Sequence, residues 1–245
     1  MALSSPKIRL FVDADLQPGG SVALGRDQTH YVVNVMRLGA GDDIALFNGR
    51  DGEWRASVAA IGKRAAELTC AEAIRPQADP PDVHLLFAPI KKARTDFIAE
   101  KAAEMGVRRL VPVFTRYTNA ERVNEERLRA HGIEAAEQCG LLSAPDVAPA
   151  IRLDRLLAEW DPARRIMFCD ETTPTGGASA TLSAAGPGPW AVLIGPEGGF
   201  APEEAAKLRS LDFAAPVSLG PRILRADTAA VAALTLWQSV LGDWE

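Results

Sequence analysis

Trp190-Ala-Val-Leu-Ile-Gly-Pro-Glu-Gly-Gly-Phe200 decides how this chain is read. Its first half is a continuous apolar run of strand length, the pattern of a strand buried on both faces. Its second half is a glycine-bearing turn, where the missing Cβ lets backbone groups approach a ligand closely. A second stretch of the same kind follows, Val217–Gly220 running into Pro221-Arg-Ile-Leu-Arg225. Working outward, His84–Ile90, Val107–Phe114 and Arg165–Asp170 are further apolar runs of strand length. Helical spacing is found over Thr95–Met105, with Ile98, Ala102 and Met105 on one face and Gly106 as a cap, and over Asn124–Gln138, closing at Gly140. Another helix starts near Pro202, with Glu203 and Glu204 at its positive end, and Asp227–Leu241 is an Ala-rich last helix. This alternation predicts an α/β domain over residues 84–245, with a parallel sheet covered on both faces. In such sheets ligands bind at the carboxyl ends of strands, where both glycine turns lie.

Residues 1–75 have another texture. Ile8–Val12, Asp43–Phe47 and Glu53–Ile61 alternate apolar and polar groups, with one short helix at His30–Leu38. Asp51-Gly52 predicts a tight type I′ hairpin, and the whole reads as a small β-barrel. Arg75-Pro-Gln-Ala-Asp-Pro-Pro81 cannot continue a sheet or helix, so residues 76–83 are the expected linker.

Composition bounds the function. The 245 residues are 47% hydrophobic and 24% charged, which excludes disorder and fibrous architectures. The uncharged stretch 172–196 is rich in Gly, Pro, Ser and Thr, and Thr228–Gly242 is shorter than the roughly 20 residues of a membrane span. The N-terminus has no secretory h-region, and Cys70, Cys139 and Cys169 lie far apart. These features lead to the expectation of a soluble cytosolic protein without disulfide scaffold, metal site or membrane partner. Net charge is −5, yet residues 84–131 carry ten basic and six acidic groups. That segment fits either contact with phosphates or a solvated helix face of ion pairs. Neither glycine turn is a dinucleotide fingerprint or a Walker loop.

The two turns, Ile194-Gly-Pro-Glu-Gly-Gly-Phe200 and Leu219-Gly-Pro-Arg-Ile-Leu-Arg-Ala-Asp-Thr-Ala229, closely resemble the RsmE family, SPOUT-class methyltransferases acting on N3 of a uridine in 16S rRNA. Arg9-Leu-Phe-Val12, His30, Arg37-Leu38 and Phe47-Asn-Gly49 resemble that family's PUA-like RNA-binding barrel. Lys91, Arg94, Lys101, Glu104-Met-Gly106 and Glu137-Gln138 resemble its central signature. The resemblance implies a deep trefoil knot, S-adenosylmethionine as cofactor, the small ribosomal subunit as partner and a homodimer. By matching position it implies a cofactor pocket of Leu193, Gly195, Glu197, Gly198, Gly199, Leu219, Gly220, Ile223 and Leu224. It implies RNA contacts at Arg9, His30, Arg37, Lys91 and Arg94. Arg225 is the expected stabiliser of the uracil anion, and Asp227 is either the base or a helix cap. Four positions depart from the family pattern: Asp227 replaces the usual glutamate, Leu141 a common arginine, and Lys92-Ala93 a Gly-Asp pair.

Other features have plain readings. Cys139 and Cys169 are expected as small buried hydrophobes, Trp237 and Trp244 as packing or interface residues, and 172–189 as a lid or a disordered connector. The alanines of the last helix fit close approach in a knot or dimer, and equally an amphipathic core helix. Two competing functions are another SPOUT-type RNA methyltransferase and an RNA-binding assembly factor without chemistry. The intact cofactor turns oppose the second; the barrel with the central signature opposes the first.

Overall fold

The computed structural model describes residues 6–63 and 65–244, and the start of the expected barrel at residues 1–5 lies outside them. Two compact units emerge, one of residues up to Asp79 together with Ala136–Ala144, the other of Pro80–Ala135 and Pro145 onward.

In the first unit, β1 (Arg9–Phe11), β2 (Ser21–Leu24), β3 (Asp43–Phe47), β4 (Glu53–Ile61) and β5 (Ala66–Arg75) form one sheet in the order β1-β3-β4-β5-β2. β1 lies parallel to β3 and the other pairs are antiparallel. No pairing joins the edge strands β1 and β2 among the described residues, so the expected barrel is a five-stranded sheet without detected closure. Alternation placed three of these strands; β2 and β5 were not read from the sequence. Leu10, Val22, Ile44, Leu46, Val58 and Leu68 fill the core under the sheet. The expected type I′ turn is absent. Phe47 pairs with Glu53 across a five-residue loop in which Gly49 and Gly52, not Asp51, have positive φ. Asn48 Oδ1 accepts the backbone N–H of both Arg50 and Asp51, so an Asx turn replaces the two-residue hairpin. Gly52 is obligatory here, because a Cβ would lie 2.3 Å from the Arg75 carbonyl. The expected helix at His30–Leu38 is instead α1 (Arg26–His30) running into a π-turn at Tyr31–Val35.

In the second unit, β6 (Val83–Phe87), α2 (Lys92–Glu104), β7 (Arg109–Phe114), α3 (Glu125–Cys139, its last turn grouped with the first unit), β8 (Asp146–Val147), β9 (Ile151–Arg152), α4 (Leu153–Ala158), β10 (Arg165–Cys169), α5 (Ala178–Ala185), β11 (Trp190–Ile194), α6 (Pro202–Arg209), β12 (Ala214–Val217) and α7 (Ala226–Leu241) follow in order. The sheet is parallel, in the order β12-β10-β11-β6-β7-β8, with β9 also on β7. One core lies beneath α2, α5 and α7 (Leu85, Ile98, Leu182, Val192, Leu234, Trp237) and another beneath α4 and α6 (Leu86, Phe168, Leu193, Leu153, Leu208). Alternate residues of β11 feed the two cores, which is why its sequence is apolar throughout. The stretch 172–189 holds α5, whose Leu182 is fully buried, so it is not a disordered connector. Among the described residues no helix is long and apolar enough to cross a membrane.

Candidate active site

β10, β11 and β12 are neighbours, so their carboxyl ends open onto one cleft. Ile194, Gly195, Pro196, Gly199 and Phe200 line it from the first glycine turn, and Leu219, Gly220, Arg222, Ile223 and Leu224 from the second. The end of β10 adds Cys169, Asp170, Glu171 and Thr172, α6 adds Ala205 and Arg209, and α7 adds Ala226 and Ala229. Six of the nine residues expected in the pocket therefore meet here. Leu193 is instead fully buried in the core beneath α4 and α6, and Glu197 and Gly198 are exposed outside the lining. Gly198 faces Tyr117, whose Cβ would lie 3.3 Å from a Cβ at that position.

The first turn is closed by an aromatic ring. Phe200 packs edge-on against Phe168 at 5.1 Å, and a Cβ on Gly195 would stand 2.7 Å from Phe200 Cε2. Gly195 thus lets the ring lie over the strand end. In the second turn Gly220 holds φ +115°, a conformation that L side chains rarely adopt.

The β10 end carries a charge cluster that sequence reading missed. Arg209 Nε donates to Asp170 Oδ2 at 2.7 Å, and the Thr172 N–H and hydroxyl donate to Asp170 Oδ1 at 3.0 and 2.9 Å. Burial pushes the Asp170 carboxyl up, but the Thr172 and Arg209 donors outweigh it and hold it below the usual carboxylate range. A third strand end beside two glycine turns was a signal for Asp170; nothing local in sequence joins it to Arg209, 39 residues away. Cys169 lines the same cleft, and burial pushes its thiol up to about 12, so it stays protonated and unreactive at neutral pH. Cys139 is exposed, contrary to its expected burial.

Beside the cleft, α7 begins with Arg225 as N-cap residue and Asp227 in its first turn. Asp227 makes no side-chain cap; its Oδ1 is buried without a hydrogen-bond partner, and Oδ2 lies 3.8 Å from Arg94 Nε. The capping alternative therefore fails. Arg225 is exposed and forms no ion pair among the described residues. Trp237 is buried in the core, whereas Trp244 is 44% exposed.

Residues 77–238 match the family model of an RNA methyltransferase domain, and residues 24–69 that of an RNA methyltransferase PUA domain. A Rickettsia conorii protein named ribosomal RNA small subunit methyltransferase E is 30% identical over 228 residues, covering 92% of this chain and 93% of its own. The chain belongs to the ribosomal RNA small subunit methyltransferase E family. It is accordingly an RNA methyltransferase. Two solved relatives share its fold along nearly their whole length. A ribosomal RNA small subunit methyltransferase E from Neisseria gonorrhoeae bound to S-adenosyl methionine superposes with a TM-score of 0.86 at 26% identity, covering 97% of this chain and 99% of that one. A methyltransferase from Legionella pneumophila in complex with the cofactor SAM also gives 0.86, at 29% identity over 98% and 100% of the two chains.

The residues expected at the RNA surface of this methyltransferase are placed very differently. Arg9 is 14% exposed at its side chain, paired with Glu53, stacked 4.5 Å over Phe47, and donating to the carbonyls of Ala136, Glu137 and Leu141. Its guanidinium is spent on the end of α3. Arg94 faces Asp227, while Lys91 is exposed at the start of α2. His30 and Arg37 are exposed in and just after the α1–π-turn segment.

Proposed function

We propose that this methyltransferase uses S-adenosylmethionine to methylate N3 of a uridine in 16S rRNA of the small ribosomal subunit, acting as a cytoplasmic homodimer. The observation that carries the reading is the single cleft made by three adjacent strand ends, two of them glycine turns. Its residues suit the cofactor. Ile194, Leu219, Ile223 and Leu224 offer apolar surface to a purine, and Glu171 and Ser218 offer acceptors to hydroxyl or ammonium groups. Arg222 offers a cation to a carboxylate. The bound cofactor would supply an electrophilic methyl group.

The chain's own residues would then serve the uracil. Its N3 proton must leave before the nitrogen is a good nucleophile. Asp227 Oδ1, buried and unpartnered beside the cleft, is an available acceptor for that proton. Arg94, 3.8 Å from the other carboxylate oxygen, would hold Asp227 in place, and the uncommitted Arg225 would stabilise the uracil anion. The trefoil knot implied by the family resemblance belongs to this proposal. So do a PUA-like RNA-binding domain over residues 1–75, a linker over 76–83 and a methyltransferase domain over 84–245. Lys91, His30 and Arg37 remain on the proposed RNA surface; Arg9 leaves it.

The test is tritium transfer from labelled S-adenosylmethionine to small subunits lacking the modification, followed by digestion to nucleosides. Label is expected in 3-methyluridine. Label in a different nucleoside would keep the chemistry and discard the target, and no label alongside no cofactor binding would defeat the enzyme reading.

A further inference from the structure

Tyr117 stands in the turn that follows β7 and is 43% exposed. Among the described residues its hydroxyl forms no hydrogen bond and its ring meets no other ring or cation. Its backbone is nevertheless firmly held. The Thr115 N–H donates to Thr118 Oγ1 at 2.9 Å and the Thr118 N–H to the Thr115 carbonyl at 3.2 Å, which closes the turn around the tyrosine. One carboxylate then ties this turn to the first glycine turn. Glu204 Oε1 accepts the Arg116 N–H at 2.9 Å, and Oε2 accepts the N–H of Ala201, just past the glycines, at 3.0 Å. The Arg116 guanidinium adds an ion pair with Glu203 at 3.0 Å. Gly198 leaves the side chain its place, because a Cβ there would stand 3.3 Å from Tyr117 Cβ and 3.8 Å from Cγ. The neighbours of Gly198 on either side, Gly195, Pro196, Gly199 and Phe200, line the cleft. Two other aromatics of this unit are exposed, but Phe97 has the Lys101 ammonium 5.5 Å from its ring and Trp244 lies past the last helix. Tyr117 is the one that borders a glycine turn of the cleft.

We propose that the Tyr117 ring is a stacking platform for an unstacked base of the target RNA strand, held against the glycine turn that borders the cofactor cleft. A base whose Watson–Crick edge is to be reached must first leave its own stack, and an aromatic ring returns the stacking that this step forfeits. Sequence identity matters little to such a contact, because every base has a π-face. The pinning by Glu204 suits the role, since a ring already ordered loses less freedom when the base arrives. This proposal rests on the RNA methyltransferase reading and deepens it by naming a contact in the methyltransferase unit itself.

The test uses the full chain with small subunits reconstituted from 16S rRNA transcribed with 5-iodouridine, a base that cross-links under ultraviolet light to aromatic side chains stacked on it. After digestion with trypsin and ribonuclease, mass spectrometry should find the adduct on Tyr117 in the peptide of residues 117–122. In parallel, methyl transfer to unsubstituted small subunits and calorimetry with S-adenosylmethionine are measured on three proteins. Tyr117→Ala should lower kcat/KM for the subunits by about tenfold to 100-fold and leave S-adenosylmethionine affinity within about twofold of the parent. Tyr117→Phe, which keeps the ring face, should recover most of that loss and still cross-link. A tyrosine that merely supports the turn would yield no adduct and would lose cofactor affinity on truncation. Absence of an adduct in residues 117–122 overturns the proposal, as does a kcat/KM of Tyr117→Ala equal to that of the parent. A loss in Tyr117→Phe as large as in Tyr117→Ala does the same, because it would assign the contact to the hydroxyl. An adduct on Tyr117 in wild-type protein that transfers no methyl group would fail the uridine-methylation reading and leave the platform standing.

Discussion

A Cβ built on Gly195 lies 2.7 Å from Phe200 Cε2, whereas one on Gly198 meets the side chain of Tyr117, itself 43% exposed, at 3.3 Å. Phe200 cannot retreat freely, because it is already packed on Phe168. Gly195→Ala should therefore displace the ring into the cleft at a cost of about 1–3 kcal/mol and weaken S-adenosylmethionine binding at least about tenfold. Gly198→Ala should change affinity less than about threefold, since its 3.3 Å contact with the Tyr117 Cβ is relieved by a shift of a few tenths of an ångström in an exposed turn outside the cleft lining. Calorimetry on both variants decides the point; the reverse ranking would put the cofactor on the other side of the turn. His84 gives a residue-scale test of stability. Burial, then the Arg164 charge, push its pKa down to about 4 against the opposing pull of Asp82. The folded state thus holds a neutral imidazole while the unfolded chain takes up a proton below about 6.5. The resulting stability is complete above pH 6.5 and is lost as pH falls toward 4, by about 2 kcal/mol after allowance for solvent screening. His84→Gln should flatten the dependence of Tm on pH in that window, and an unaltered slope would refute the assignment.

Two elements owe their placement to arginines reaching across the sequence. Arg209, in the last turn of α6, pins that helix to the end of β10 through Asp170, whose side chain is 4% exposed. Arg209→Met would strand a buried carboxylate, so about 2–3 kcal/mol should be lost, read as a lower urea midpoint, together with weaker cofactor binding. A midpoint like that of wild type would mean that the Thr172 donors alone satisfy Asp170. Arg9 plays the same part for the end of α3, where helix carbonyls lack intrahelical partners. Arg9→Met should destabilise by about 3 kcal/mol, because Glu53 is buried and keeps only Arg75. RNA titrations on the folded variant should show the salt slope of the parent; a slope lowered by one would return Arg9 to the RNA surface. Long periodic helices and buried apolar strands were legible beforehand: α2, α3, α6, α7, β6, β7, β10 and β11 fell within a few residues of their expected bounds, while β12 ends at Val217, where its strand was expected to begin. The π-turn, β2, β5, β8, β9, α4 and α5 were not, because short segments of mixed polarity carry no period strong enough to distinguish them.

At the scale of the molecule, acid should act mainly through buried and half-buried carboxylates. The Arg127 donors hold Asp96 below the usual carboxylate range, paired arginines outweigh the effect of burial at Glu53 and Asp82, and the Thr172 and Arg209 donors do so at Asp170. Each contribution is present above the unfolded carboxylate range and disappears as pH falls through the folded value, in the same direction as His84. The amino-acid order by itself determined the alternation of buried strands and helices, the two glycine turns and their family likeness, since apolar period and missing Cβ atoms are properties of neighbours in sequence. Tertiary structure alone decided which strand ends share the cleft, that β11 lies between β10 and β6, and that residues 136–144 group with the first unit. It alone decided that Arg9 is structural and that Asp227 is an unsatisfied acceptor rather than a cap. The physical reason is common to all of these. A side chain's charge and reach are written at one position, but its role depends on the donors and acceptors that folding brings to it from distant ones, such as Asp170 and Arg209 across 39 residues.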